Sequence, residues 1–279
     1  MKINGVVVLY NPEETIIDNI TSYLDNVEKL YIIDNSESKN TELINEIVSI
    51  SKKCIYIDNN GNQGIAHALN VGAKLAIENG ADWLLTMDQD SSFTQGSLVK
   101  LIDWIENNDI HDVGIVSPLH LENELLFDTN KNYITMTSGN LVNLVIFNKI
   151  GNFLEKLFID SVDTEYCLRL KKFNYTLKRI SSVVLNHNLG DMKYDNFGNK
   201  KITYTNHNHL RRYYIMRNRL YIWKEYADIL PSFIDSDKKQ AIKEIIKILL
   251  FENSKFKKLI YSLKGYIDYK KNKFGKINE

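Results

Sequence analysis

Short runs of β-branched and aliphatic residues alternate with stretches of helical periodicity through the first half of the chain, and that rhythm predicts a parallel α/β sheet. Residues 5–10 read as a strand, 15–23 as a helix, 29–33 as a strand, 41–51 as a helix and 54–57 as a strand. The order continues with a helix over 64–79, a buried strand over 83–87, a helix over 95–107 and a strand over 113–117. In such a sheet ligands gather beyond the carboxyl ends of the strands, where loops and helix N-termini converge. The residues at those ends are Tyr10, Asn11 and Pro12, then Asp34, Asn35 and Ser36, then 58–62, then 88–90. Polar clusters at successive strand ends predict a polar-lined cleft.

Beyond Pro118 the strand signals thin out. A Ser138-Gly139-Asn140 turn precedes the apolar run 141–147, and Asp160, Asp163 and Glu165 open a helix that ends near residue 173. This half is expected to build on the first sheet rather than fold by itself. From Asn208 onward the chain turns helical, aromatic and basic. The expected organisation is one domain over 1–220 with a basic amphipathic helical extension over 221–279.

Composition changes this picture little. With 279 residues, 44% hydrophobic and 25% charged, the chain suits one large domain with a helical appendage and excludes a disordered one. Its 35 basic residues cancel its 35 acidic ones, so no nucleic-acid partner is expected. Cys54 lies in an apolar strand run and Cys167 in a helical pattern, which suggests buried thiols in a reducing compartment rather than a disulfide. The first residues are strand-like, with no charged segment ahead of a long apolar one. No window approaches the roughly 20 apolar residues of a membrane span, so a cytoplasmic location is expected.

Local charge matters more. Residues 238–279 hold twelve lysines against the four carboxylates Glu244, Glu252, Asp268 and Glu279, with aromatic and aliphatic residues between them. Three readings stay open for this segment: a surface resting on the inner face of the cell membrane, a solvated cap on the domain, or a homodimer contact.

The strongest chemical signal is 83–90, an apolar strand ending in Asp88-Gln89-Asp90. Two carboxylates at that spacing suit one divalent cation that also binds a diphosphate, although an Asp-x-Asp also serves as a plain loop cap. Asn62-Gln63-Gly64 leads into a helix, where backbone amides and the helix dipole favour an anion; a turn with an N-cap is the alternative. The spacing is neither a dinucleotide fingerprint nor a P-loop. At Asp160, Asp163 and Glu165 a carboxylate could deprotonate an acceptor hydroxyl, or these residues could simply cap and complement the helix. His187 is a candidate metal ligand, and Arg217 suits phosphate oxygens.

Taken in order, these segments resemble the family 2 glycosyltransferases, and more narrowly the bacterial rhamnosyltransferase-like branch that builds surface polysaccharides. The set runs Val8-Leu9-Tyr10-Asn11-Pro12, Ile33-Asp34-Asn35-Ser36, Asn62-x-Gly64 with Asn70-x-Gly72, Asp88-x-Asp90, Ser138-Gly139-Asn140, Asp160-x-x-Asp163-x-Glu165 and Arg217-Asn218. The resemblance implies a GT-A fold and an inverting, metal-dependent transferase using Mg²⁺ or Mn²⁺. It implies a nucleotide pocket drawn from Tyr10, Asn11, Asp34, Asn35, Asn62, Gly64, Asp88 and Arg217. It implies a metal at Asp88 and Asp90 with His187 beside it, and sugar contacts from Gly139, Asn140, Asp160 and Glu165. Asp163 stands where the family has its catalytic base, and Val162 replaces the acidic neighbour that many relatives carry there. The donor implied is dTDP-L-rhamnose and the acceptor a saccharide or lipid-linked saccharide, read by residues 122–133 and 191–209. A UDP-hexose donor, a nucleotidyltransferase and a non-catalytic sugar-binding module are the alternatives.

Overall fold

The computed structural model describes residues 1–120, 134–187, 192–197 and 200–277. The first elements follow the sequence pattern closely: β1 (Ile3–Leu9), α1 (Ile16–Leu24), β2 (Leu30–Asp34), α2 (Thr41–Ile50), β3 (Cys54–Asp58), α3 (Ile65–Glu78) and β4 (Trp83–Asp88). After them come β5 (Ser91–Phe93), α4 (Ser97–Glu106), β6 (Val113–His120), β7 (Asn140–Asn143), α5 (Leu144–Ile150), α6 (Val162–Lys172) and β8 (Thr176–His187). The chain continues with β9 (Met192–Phe197), β10 (Lys200–Thr205), α7 (His209–Glu225), α8 (Pro231–Phe251) and α9 (Lys255–Lys270).

Among the described residues an eight-stranded sheet runs in the order β3-β2-β1-β4-β7-β6-β8-β5. Strands β3, β2, β1 and β4 are parallel, whereas β7 is antiparallel to both β4 and β6, and β5 is antiparallel to β8. Every residue of β1 and β2 is buried, because helices cover both faces of the sheet, and this is why those strands read as unbroken apolar runs. One core packs Ile3, Val7, Leu9, Tyr23 and Trp83 on one side, and a second packs Val6, Val8, Leu69, Phe147 and Tyr166 on the other. Helix α3 comes close enough to β1 that a Cβ on Gly72 would stand 2.3 Å from Val6 Cγ2, so only glycine fits there.

The apolar run at 141–147 divides between a strand and a helix. Asn143 causes the division, since its side chain accepts from the backbone amides of Val145 and Ile146 and so starts α5. Helices α2 and α7 begin the same way, on Asn40 and Asn208, and Pro231 opens α8.

The expected boundary at residue 220 falls inside the continuous helix α7. Helix α9 lies against α7 so tightly that a Cβ on Gly265 would meet Tyr213 O at 2.4 Å. Buried polar links reinforce the join. Arg212 pairs with Glu252, Lys258 with Glu252 at 2.8 Å, and Arg219 with Glu244 at 3.0 Å. Both cysteines are free and buried, as their sequence contexts imply. No described helix is long and apolar enough to cross a membrane.

Candidate active site

The register of the parallel strands pairs Leu9 with Asp34, Asp34 with Asp58 and Val8 with Asp88, so β1, β2, β3 and β4 end at one level. Their loops are stitched together by side chains. Asp34, 1% exposed, accepts from Ser36 N at 2.8 Å and from the Tyr56 hydroxyl at 3.0 Å, while Ser36 Oγ accepts from Asn11 N at 2.8 Å. Asn35 donates to Gly64 O at 3.2 Å and accepts from Asn59 Nδ2 at 2.6 Å. Asn62 Oδ1 takes the Gly64 amide at 3.0 Å. Gly64 has φ +92°, and a Cβ there would stand 2.7 Å from Phe158 O, which fixes glycine at this position. Tyr10, Asn11, Asp34, Asn35, Asn62 and Gly64 therefore form one floor at the carboxyl edge of the sheet. Sequence reasoning missed Lys39, whose Nζ lies 2.9 Å from the Asp58 carboxylate and 3.7 Å from that of Asp34. The available signal was the excess of acidic groups on this edge, which calls for a nearby cation.

The paired aspartates sit at the end of β4. The Asp88 amide donates to Ser138 Oγ at 3.1 Å. Between the aspartates, Gln89 is held by the backbone of Tyr10: its Oε1 accepts from Tyr10 N at 2.8 Å and its Nε2 donates to Tyr10 O at 3.2 Å. Asn19 adds a 2.8 Å bond to Gln89 O. Gln89 is a positioning residue that the motif did not announce. Gln89 and Asp90 form the tight turn between β4 and β5, and these bonds fix that turn against the end of β1. The β5–β8 register pairs His187 with Ser91, which brings its backbone next to Asp90.

No group of three His, Cys, Asp or Glu side chains suited to a metal occurs among the described residues. Two carboxylates one residue apart in the chain still suit a cation of the Mg²⁺ type, which binds through one or two carboxylates and leaves its other positions to water and substrate phosphate. We expect Asp88→Asn to abolish any increase in melting temperature produced by a nucleoside diphosphate with Mg²⁺ or Mn²⁺. Thermal melting with and without EDTA measures this, and a metal-dependent shift that survives the substitution would place the cation elsewhere.

The acidic segment is built on unusual backbone. Phe158, Asp160 and Ser161 have φ of 67°, 62° and 63°, a region that costs a non-glycine residue roughly 1–3 kcal/mol. Asn218 compensates from α7, its Nδ2 lying 2.9, 2.8 and 2.9 Å from the carbonyls of Leu157, Ile159 and Asp160. The loop delivers Asp163, half-buried, to the first turn of α6, against a small cavity that it lines with Thr86, Thr137, Asn140 and Tyr166. Burial holds the Asp163 carboxyl above the ordinary carboxylate range, the bond from Thr164 N at 2.6 Å opposes this, and the nearby Asp160 carboxylate adds to the rise. Asp160 is itself raised by burial, against the pull of Arg211 at 3.1 Å.

Asn140 also lines the cavity, and Gly139 precedes it. Gly139 N donates to Thr86 O at 2.7 Å, and Asn140 Nδ2 to Met136 O at 2.6 Å. Two residues of the expected set are engaged inside the fold. Glu165, expected at the sugar, is 1% exposed and turned inward, bonded to Arg169 at 3.1 and 2.8 Å and to the Tyr226 hydroxyl. Arg217, expected on phosphate, is 0% exposed, its guanidinium taken by Leu157 O at 2.9 Å, Gly275 O at 2.7 Å and Lys156 O at 3.3 Å. A buried charge must find hydrogen-bond partners within the fold: Glu165 has found donors and Arg217 acceptors. Residues 122–133, expected to read the acceptor, lie outside the described residues, as do 191, 198 and 199 of the 191–209 region.

The family model for glycosyl transferase family 2 matches residues 6–176, from β1 through the paired aspartates and Asp163 to the start of β8. The chain belongs to glycosyl transferase family 2. As a glycosyltransferase it is similar, at 28% identity over 255 residues covering 82% of this chain and 83% of the relative, to a dTDP-rhamnosyl transferase, RfbF, of Shigella flexneri. It is 29% identical over 147 residues to an uncharacterized glycosyltransferase of Haemophilus influenzae, covering 50% of this chain and 58% of that one. Among solved structures, the mannosyltransferase PcManGT from Pyrobaculum calidifontis, in complex with GDP-Man and Mn²⁺, superposes with TM-score 0.65 at 13% identity over 98% of this chain and 88% of its own. S. aureus TarS 1-349 in complex with UDP-GlcNAc does so with TM-score 0.55 at 14% identity over 96% and 81%. At those identities the likeness establishes the transferase's GT-A fold alone.

Proposed function

We propose that this glycosyltransferase moves L-rhamnose from dTDP-L-rhamnose to a saccharide or lipid-linked saccharide acceptor in surface-polysaccharide synthesis, with inversion at the anomeric carbon. The observation that supports the reading is Asp163 itself: a half-buried carboxylate in the first turn of α6, in the wall of a small cavity that it shares with Thr86 and Asn140, its pKa raised by burial. A carboxylate so raised is a stronger base once ionised, which suits it to take the proton from an acceptor hydroxyl as that oxygen attacks. Tyr10, Asn11, Asp34, Asn35, Asn62 and Gly64 bind the nucleotide, while Asp160 and Asn140 face the sugar. Asp88 and Asp90 would hold a divalent cation, with His187 beside them, and when bound it supplies positive charge to the departing diphosphate.

The donor assignment draws on the resemblance to the dTDP-rhamnosyl transferase. A panel of dTDP-L-rhamnose, UDP-hexoses and GDP-mannose tests it, and turnover is expected with dTDP-L-rhamnose. Turnover of a UDP-hexose alone would keep the enzyme class and replace the donor.

The same reading places the transferase at the cytoplasmic face of the membrane, where a lipid-linked acceptor would lie. The support is the outer surface of α8 and α9. Ile242, Ile246, Leu249 and Leu250 on α8, and Phe256, Ile260, Leu263 and Ile267 on α9, follow helical spacing and are all 40% or more exposed. Lys239, Lys243 and Lys257 are exposed beside them, whereas Glu244, Glu252 and Asp268 turn inward to Arg219, Arg212 and Tyr213. Such a face suits an anionic bilayer, and in a symmetric homodimer it would set lysine against lysine. Sedimentation with vesicles is expected to show binding that needs anionic lipid and weakens about fivefold for each lysine exchanged for glutamine. Equal binding to neutral vesicles, or a dimer lost on Phe256→Glu, would overturn this placement.

A further inference from the structure

After α9 residues 271–277 turn back across α7 and reach the loops that follow β2 and β3. Gly275 fixes this segment, donating to Lys156 O at 2.7 Å and accepting from Arg217 Nη1 at 2.7 Å. On either side of it, Phe274 meets Tyr221 edge-on with ring centroids 5.7 Å apart, and Ile277 N donates to the Tyr214 hydroxyl at 2.9 Å. The backbone flanking Lys276 is therefore held at several points. From there Lys276 Nζ donates to Asn62 O at 3.1 Å and lies 3.9 Å from the Glu37 carboxylate. Asn62 belongs to the loop after β3 and Glu37 to the loop after β2, so one ammonium group bridges two walls of the pocket floor.

We propose that residues 271–277 form a strap belonging to the donor site, with Lys276 as the positioning residue that keeps the Glu37 and Asn62 loops in the geometry that receives a nucleoside diphosphate. The proposal rests on the reading of that pocket as the nucleotide site. Lys276 and Glu37 have side chains 57% and 55% exposed, and an ion pair so exposed adds little to folding stability. Its effect falls instead on pre-organisation: the Asn62 loop contains Gly61 and Gly64, both at positive φ, and without the bridge the ligand must order that loop itself. The strap also gives buried Arg217 a purpose other than substrate contact, since Arg217 anchors the strap and the loop at Lys156 and Leu157 with one guanidinium.

The test compares full-length Lys276→Ala and Lys276→Arg with the parent chain. Isothermal titration with dTDP and Mg²⁺ is expected to show affinity lowered about threefold to tenfold in Lys276→Ala and restored in Lys276→Arg. Melting temperature and acceptor KM should be unchanged, and amide exchange over 59–64 should be faster in Lys276→Ala. Unchanged exchange together with unchanged dTDP affinity overturns the strap. If the parent chain binds no nucleoside diphosphate while exchange over 59–64 still responds to the substitution, the bridge stands and the reading of the pocket as a donor site is what fails.

Discussion

Asp163→Asn is expected to slow transfer about 10²–10⁴-fold while nucleotide binding and folding are retained. The carboxylate lies in the wall of the cavity with its pKa raised by burial and by Asp160, so ionising it works against the fold. With a folded pKa above the unfolded one, the native state binds more protons between the two values, and stability falls as pH rises through that window. Asparagine keeps the shape and removes the charge, so at neutral pH the variant should melt no lower than the parent. The same shift sets the acid limb of kcat/KM in the parent, which should lie above the pH expected for an ordinary carboxylate. Rate measurements across pH, with melting curves for both proteins, test this together. Undiminished turnover in Asp163→Asn would exclude it as the base, and a lower melting temperature would show that its role is structural.

Arg217→Ala is expected to cost about 3–5 kcal/mol of stability, from the emptied volume and the carbonyls left without a donor. Gly275 O loses a 2.7 Å bond, and Lys156 O and Leu157 O each lose one. Tyr213, Tyr214 and Phe274, whose ring centroids lie 5.3, 5.0 and 5.3 Å from the guanidinium carbon, lose the side chain they surround. In a domain of this size each kcal/mol lowers the melting temperature by about 2–4 °C, so a fall of roughly 10 °C is expected. An unchanged melting temperature with a raised donor KM would return Arg217 to the phosphate. Beside Asp163→Asn, this substitution separates a residue that serves chemistry from one that serves architecture, although both belong to the ordered motif set.

Strands β1 to β4 and β6, with the helices between them, were legible because each buried strand is locally apolar and each helix carries its own periodicity, whereas the three-residue β5 was too short to announce itself. The strand-end clusters were legible for the same reason: in a parallel sheet the residue after a strand has its position fixed by the strand. The second half was harder to read. Strand β7 and helix α5 share one apolar run, and only the side chain of Asn143 divides them. Strand β8 inserts beside β6 from a distant part of the chain, a pairing that no local pattern encodes.

By itself the sequence determined the α/β class, because buried strands and helices carry their own local periodicity, and its ordered motifs resembled the family that the family model then matched. Only the tertiary structure decided which polar residues face the cleft. Glu165 and Arg217 belong to the motifs yet point into the protein, and Gln89, Lys39 and Lys276 lie outside the predicted set yet hold the pocket loops. The physical reason is that a carboxylate or guanidinium has the same chemistry in either place. Whether it meets a substrate or a backbone carbonyl depends on segments far apart in sequence, and those meet only when the chain has folded.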